Sequence, residues 1–500
     1  MKRSRHSAFT KLTALLLILT MTIAITACAD KSNQTTDTNA DTSDVASTTA
    51  EDTEILPDLP DVTYDGAEFS ILISSNDEAG VVKNDFAATE MNGEVINDAR
   101  FTRNSTIEDK YDIDIVDYPT AAGANGAGIA AIKKSVTAAD YAYDAAMMAG
   151  YDTCALASND FLVDLKTLGY IDLNKPWWDQ KANADLTIKG KMFYTTGDIS
   201  TADNDATYAI LFNKQLVTDY KLPDYYSLVK DGTWTIDKFC ESVVQVHSDL
   251  DGNGEYDTND LFGALLWDDT MMGIVNATGD KCCTVNSDGQ IELTLNTERV
   301  VTMIQKYFSV AFDKSVCLTY QRKNWDGVAA VNMFSNNQAL FFMRLLLDVA
   351  SMRNMEADFG ILPYPKYDDT QTEYYNTVGS WHSVFMCVPK VQENAERTGV
   401  LLEALAAESM KTLTPAYYDI SLKGKYTRDN ESSDMLDIIL ATRTFDLGWY
   451  YQVGTYNEAV MNLLRNFKSD FSSMYAKLEK NANKQVDKLN TAFAEISTNN

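Results

Sequence analysis

The chain has 500 residues, 45% of them apolar, with 26 Tyr and 20 Phe, enough to build a large core. Its formal charge of −30 argues against nucleic acid and against adsorption to anionic lipid. It favours neutral or cationic ligands only weakly, because acidity also gives plain colloidal stability.

In chain order, the basic residues Lys2, Arg3, Arg5 and Lys11 precede an apolar stretch from Leu12 to Ile25 and the run Ile25-Thr26-Ala27-Cys28. That order marks residues 1–27 as an export signal that is removed. The apolar core is shorter than the roughly 20 residues a bilayer needs. An apolar residue, two small ones and Cys resembles the bacterial lipobox. The resemblance implies that Cys28 is lipidated, with palmitate among the expected acyl groups, and becomes the first mature residue. The protein would then work on the extracellular face of the cell membrane, held by a lipid anchor alone; an ordinary signal peptide with an incidental Cys is the alternative. Residues 28–57 are Asp, Thr, Ser, Asn and Ala with little to bury, and read as a flexible stalk.

About 440 residues remain, too many for one simple core, which suggests a two-lobed body. The strand Phe69–Ile73 ends in the polar tip Ser74-Ser75-Asn76. A helical pattern from Asn97 to Tyr111, a strand at Asp114–Val116, a helix reaching Ala139 and a buried strand Asp144–Met148 follow. This β-α-β-α-β rhythm predicts a parallel sheet with helices on its faces. Such sheets bind ligands at the carboxyl ends of their strands, where Ala149-Gly150-Tyr151-Asp152 also falls. Further strands are expected at Tyr208–Phe212, Gly263–Trp267, Ala339–Met343 and Phe359–Leu362. Helices are expected at Ile236–Val246, Arg299–Phe308 and Leu401–Met410. Asn457 to Ile496 carries Val460, Leu463, Leu464, Phe467, Phe471, Met474 and Leu478 at three- and four-residue steps, one long amphipathic helix.

Six cysteines remain in the body: Cys154, Cys240, Cys282, Cys283, Cys317 and Cys387. No CxxC spacing supports zinc or thioredoxin-like chemistry. Free buried thiols are expected, with a Cys282–Cys283 bridge as the alternative.

Five stretches occur in order. They are Trp177-Trp178-Asp179 leading to Gly190-Lys191-Met192-Phe193-Tyr194 and Thr196-Gly197-Asp198; Tyr208 to Lys214; Gly232-Thr233-Trp234 to Phe239; Phe334 to Phe342; and Phe359-Gly360-Ile361-Leu362-Pro363-Tyr364-Pro365. Together they resemble the extracellular solute-binding proteins of ABC importers, in the group that includes maltose- and oligosaccharide-binding lipoproteins. The usual Gly before Ala339 is missing, and the region after Pro389 matches loosely. The resemblance implies an α/β, two-lobed periplasmic-binding-protein-like (type II) fold with hinge crossovers and a ligand cleft, and no catalysis. It implies as partners a small solute, most simply a mono- or oligosaccharide, and ABC permease subunits in the membrane. Residues 58–200 with 327–378 are expected to form the first lobe. Residues 201–326 with 379–455 are expected to form the second, and 456–500 a C-terminal helix.

Asp249, Asp251, Asn253, Gly254, Glu255, Asp257 and Asp260 fit the D-x-[DN]-x-[DN]-G loop with an acid at position 12. Calcium takes six to eight oxygens, and this spacing offers Asp249, Asp251, Asn253, the Glu255 carbonyl, Asp257 and Asp260. A structural calcium ion staking one long loop is expected; an acidic turn that binds nothing is the alternative.

Sugars present apolar faces and hydroxyl edges, which aromatics and Asp, Asn or Ser side chains recognise. The candidates are Tyr151, Asp152, Asp198 and Trp381, with Asn76, Trp267 and Trp325 behind them; for each aromatic, packing is the competing role. The mature chain has two His and no HExxH, GxSxG or Walker run, so the common hydrolase and NTPase readings lack support. Gly126 to Ala131 imitates a dinucleotide fingerprint but reads as a flexible loop. A glycosidase would need two facing carboxylates, and nothing selects a pair. The expected function is a non-enzymatic solute receptor; an exported glycan-acting enzyme, or a glycan-binding surface lipoprotein without a transporter, is the alternative.

Overall fold

A computed structural model describes residues 55–74, 84–120, 126–319, 327–352 (350 and 351 as backbone only), 355–418 and 430–496. Its strands are β1 (Ala67–Ser74), β2 (Ile113–Pro119), β3 (Ala145–Ala149), β4 (Tyr194–Thr195), β5 (Tyr208–Asn213), β6 (Phe262–Leu266), β7 (Cys283–Val285), β8 (Ile291–Leu293), β9 (Cys317–Thr319), β10 (Ala339–Leu345), β11 (Phe359–Leu362), β12 (Asn376–Thr377), β13 (Val384–Cys387) and β14 (Arg443–Thr444).

Two five-stranded sheets dominate. The first runs β2-β1-β3-β13-β4 and the second β9-β6-β10-β5-β11. In the first, β1 is parallel to β2 and β3, while β13 is antiparallel to β3 and β4. In the second, β6 is parallel to β9 and β10, while β5 is antiparallel to β10 and β11. The two sheets thus share one plan, with one antiparallel strand fourth in each. That strand comes from elsewhere in the chain: β5 follows directly on the first sheet, and β13 returns after the second.

This pairing corrects the expected lobe membership. Strands β10 and β11, within 327–378, belong with β5 in the second sheet; β13, beyond 379, completes the first. Each strand is short and apolar, so its sequence does not name the sheet it joins. The C-terminal pattern is also corrected. It forms two helices, Tyr456–Arg465 and Phe471–Glu495. The break falls where Phe467 takes a left-handed φ of 51° and turns its ring onto Phe312, 5.5 Å between centroids.

Both sheets are covered on both faces, as parallel sheets require. Phe69, Ile71 and Ile73 pack into one cluster with Val400, Leu401 and Leu405 of the helix Ala395–Lys411, while Leu72 packs into another. In β5, Ala209 and Leu211 point one way and Tyr208, Ile210 and Phe212 the other. The stretch expected to be a loop near Gly126 instead starts the helix Ala127–Ala138. Its Gly128 lies so close to β1 that a Cβ would sit 2.5 Å from Ser74 Oγ, so the small residue serves packing. The six body cysteines are free, five of them buried.

Three connections join the sheets. The first, residues 196–207, runs from β4 to β5. The second, 363–383, runs from β11 to β13. The third leaves the helix Ala395–Lys411, which packs on the first body, and reaches Asn430–Ala441, which packs on β11. No helix among the described residues is long and apolar enough to cross a membrane.

Candidate functional site

The carboxyl ends of β3 and β6 deliver the main candidates. After β3 the chain turns straight into the helix Gly150–Ala157, placing Tyr151 and Asp152 in its first turn. Gly150 has no room for a side chain, since a Cβ would meet Ser383 Oγ at 2.5 Å. The half-buried Tyr151 packs edge-on to Trp381, 5.9 Å between ring centroids. Its hydroxyl lies 2.9 Å from Ser380 Oγ and accepts from Asn457 Nδ2 at 3.2 Å. Burial pushes the phenol pKa up, and the Asp269 and Glu458 carboxylates add to the rise. Asp269 therefore lies within electrostatic reach of Tyr151.

From the second sheet, β6 ends in Trp267-Asp268-Asp269. Trp267 is half-buried, and the Arg344 guanidinium sits 4.2 Å from its ring centroid. Arg344 is also held by Asp348 through Nε at 2.7 Å. One face of Trp267 is thus occupied by a cation. Asp268 pairs with Arg465, which pairs in turn with Glu458, both on the helix Tyr456–Arg465. Ser380 Oγ approaches Met272 Sδ at 3.8 Å, closing the ring between the crossover and the second body.

Tyr151 and Trp381 therefore meet beside Ser380, which links them to Met272 beyond β6. Asp152 sits beside them but turns inward, accepting from the Gly126 amide at 3.1 Å, and burial raises its pKa. Tyr151 and Asp152 also line a cavity of about 510 Å³ against Tyr450, Tyr451 and the C-terminal helix. Asp198 does not join this group. It lies at the hinge, accepting from Thr414 Oγ1 at 2.7 Å, beside Asp179, Asp203 and Arg443. Its backbone lies in the crossover between β4 and β5, and its side chain faces hinge groups. Asn76 and Trp325 lie outside the described residues, as does Cys28.

Sequence reasoning missed Ser380, Asn457, Arg465 and the Asp268-Asp269 pair. A signal existed for the last, since two acids directly follow an apolar strand. None existed for Asn457, whose helix looked like a terminal appendage.

The acidic loop gathers carboxylate oxygens of Asp249, Asp251 and Asp260 within 4.8 Å of one another. Asp260 is buried and accepts from the Leu250 and Asp257 amides, both at 2.8 Å. The Gly254 amide, at 2.8 Å, is the main cause of a lowered Asp249 pKa. Asn253 and Asp257 spend side-chain oxygens on amides of Glu255 and Asn259. Three of the six expected ligands are thus brought together, a set of hard oxygens that fits a divalent cation.

No protein-family model matches the chain, and no curated protein matches it. Solved structures do. A cyclo/maltodextrin-binding protein complexed with maltotetraose is 12% identical, with a TM-score of 0.56 over 85% of this chain and 97% of that one. UgpB from Mycobacterium tuberculosis in complex with glycerophosphocholine is 14% identical, with a TM-score of 0.54 over 86% and 100%. An ABC substrate-binding protein from Listeria monocytogenes in complex with cycloalternan is 12% identical, with a TM-score of 0.53 over 86% and 100%. The chain has the two-lobed α/β fold that these solute-binding proteins share.

Proposed function

We propose that this chain is the substrate-binding component of an ABC importer, capturing an extracellular carbohydrate between its two sheets and passing it to a membrane permease. The observation that carries this reading is the contact of Tyr151 with Trp381 at the carboxyl end of β3, where Ser380 also reaches Met272 in the helix that follows β6. Aromatic faces and rim carboxylates suit a sugar's apolar faces and hydroxyl edges. Closure would be a hinge motion that the solute stabilises. No catalysis is required of these residues. The chain would be anchored through a lipid on Cys28, and the Asp249–Asp260 loop would hold calcium.

A thermal-shift screen of the body from about Thr63 onward, against saccharides, peptides and polyamines, tests it. Binding to the native state raises the melting temperature by mass action. A saturable shift with one sugar class, without product, supports the receptor. Glycan cleavage in the same wells, with no shift, overturns it in favour of an enzyme. Loss of membrane association and of acyl-chain labelling in Cys28→Ala tests the anchor.

A further inference from the structure

A second cavity, of about 470 Å³, lies on the first body and shares no residue with the cleft. Glu403, on the helix Ala395–Lys411, forms its floor, and the exposed Asp58 and Asp172 stand at its rim. The half-buried Leu59 and Ile171 give it an apolar wall, and the exposed Tyr170 ring borders it.

Glu403 is 1% exposed, yet both hydrogen bonds it accepts fall on one oxygen. Its Oε2 takes the Trp178 indole at 2.8 Å and the Asp172 amide at 3.3 Å. Oε1 accepts from no described residue, and the nearby Trp177 Nε1 is buried without a hydrogen bond. A buried carboxylate with an idle oxygen is costly unless something brings it a donor or a positive charge. The protein brings no cation. Lys175, on the cavity wall, sits 5.8 Å from the Trp177 ring centroid, and among the described residues none of Asp58, Asp172, Lys175 and Glu403 forms an ion pair. A metal ion fits poorly, because oxygens of these three carboxylates do not gather within 4.8 Å of one another, as those of Asp249, Asp251 and Asp260 do. A larger cation, with N–H donors and an apolar tail, suits both the carboxylates and the wall.

We propose that this cavity is a binding site for a small alkylammonium ion, whose N–H donates to Glu403 Oε1 while its alkyl chain lies along Leu59, Ile171 and Tyr170. The site stands apart from solute capture in the cleft and does not depend on it. Burial pushes the Glu403 carboxyl up to about 7, and Asp172 adds to the rise against the Trp178 indole, the Asp172 amide and the Trp177 indole. An alkylammonium keeps its charge between pH 6 and 8 and pairs with the ionised carboxylate, so its affinity should rise about tenfold across that range.

Titration of the full chain with n-butylammonium chloride at pH 6 and pH 8, followed at the indole N–H resonances by NMR, tests this. The Trp178 indole, which shares the Glu403 carboxylate, should shift saturably, and n-butanol should not move it. Glu403→Gln keeps an acceptor for Trp178, and should weaken binding about tenfold or more and remove its pH dependence. Trp381→Ala, in the cleft, should leave the titration as it is. No saturable shift, an equal response to n-butanol, or an affinity in the parent chain that is the same at both pH values would overturn the proposal. So would undiminished binding in Glu403→Gln, or its loss in Trp381→Ala, which would place the amine in the cleft.

Discussion

The Asn457 side-chain amide donates to the Tyr151 hydroxyl at 3.2 Å, linking a helix packed on the second body to the strand tip of the first. Asn457 is buried, so its amide is not readily rehydrated when this bond breaks. Tyr151→Phe should therefore cost about 1 kcal/mol of stability, the usual net value of such a bond. It should also weaken solute affinity about fivefold. Melting and titration with the solute found by screening check both.

Trp381 and Trp267 should respond differently. Trp381 packs at a steep angle against Tyr151, whereas Trp267 has a face covered by Arg344. Trp381→Ala should lower affinity at least tenfold, and Trp267→Ala less. Isothermal titration of both variants decides; equal losses would argue against the asymmetry.

The acidic loop separates metal from scaffold. Chelator should lower the melting temperature of the parent chain, by an amount worth about 2.7 kcal/mol if calcium had stood at a hundred times its dissociation constant. Asp251→Ala, on the exposed rim, should abolish that response. Asp260→Ala should be destabilised with or without calcium, because its carboxylate also holds two loop amides. No chelator effect on the parent chain would remove calcium from the account.

Glu403 gives a pH-dependent stability term far from the cleft. Its Oε2 accepts from the Trp178 indole at 2.8 Å, and burial pushes its carboxyl up to about 7. The folded state thus prefers the proton, so the cost of its charge is present above pH 7 and relieved as pH falls toward the unfolded value near 4.3. Glu403→Gln should stabilise the protein at pH 8 relative to pH 5 by about 1–2 kcal/mol, after allowing for partial hydration. Urea unfolding at the two pH values measures the difference.

Gly399 allows the helix Ala395–Lys411 to touch backbone. A Cβ there would lie 1.8 Å from the Gly169 carbonyl oxygen, whereas one on Gly169 meets nothing within 4 Å. Gly399→Ala should cost about 3 kcal/mol, at the top of the overpacking range, and Gly169→Ala much less. Denaturant midpoints of the pair compare them.

The strands were legible because sheets buried on both faces are written as apolar runs: Ile71 to Ile73, Ala145 to Ala149 and Tyr208 to Phe212 all declare themselves. Partnership was not legible. Val384–Cys387 could extend either sheet, and the choice rests on backbone pairing with β3 and β4. The site was half legible for a related reason. Strand tips gave Tyr151, but Asn457 reaches it from a helix whose apolar period continues through the break at Phe467. The surroundings of Asp198 are set by Arg443 and Thr414, far along the chain, and its local sequence does not show them.

The exchange of β5 and β13 bears on how the protein is made. The first sheet lacks its fourth strand until the whole second sheet has been synthesised, so β4 has no neighbour on its β13 side while the ribosome works through the middle of the chain. The second sheet has all its strands by Leu362, and can close first. The portion made earliest would then mature last. A chain with an unfinished sheet near its amino end keeps an open edge, exposed to aggregation, until Val384 arrives.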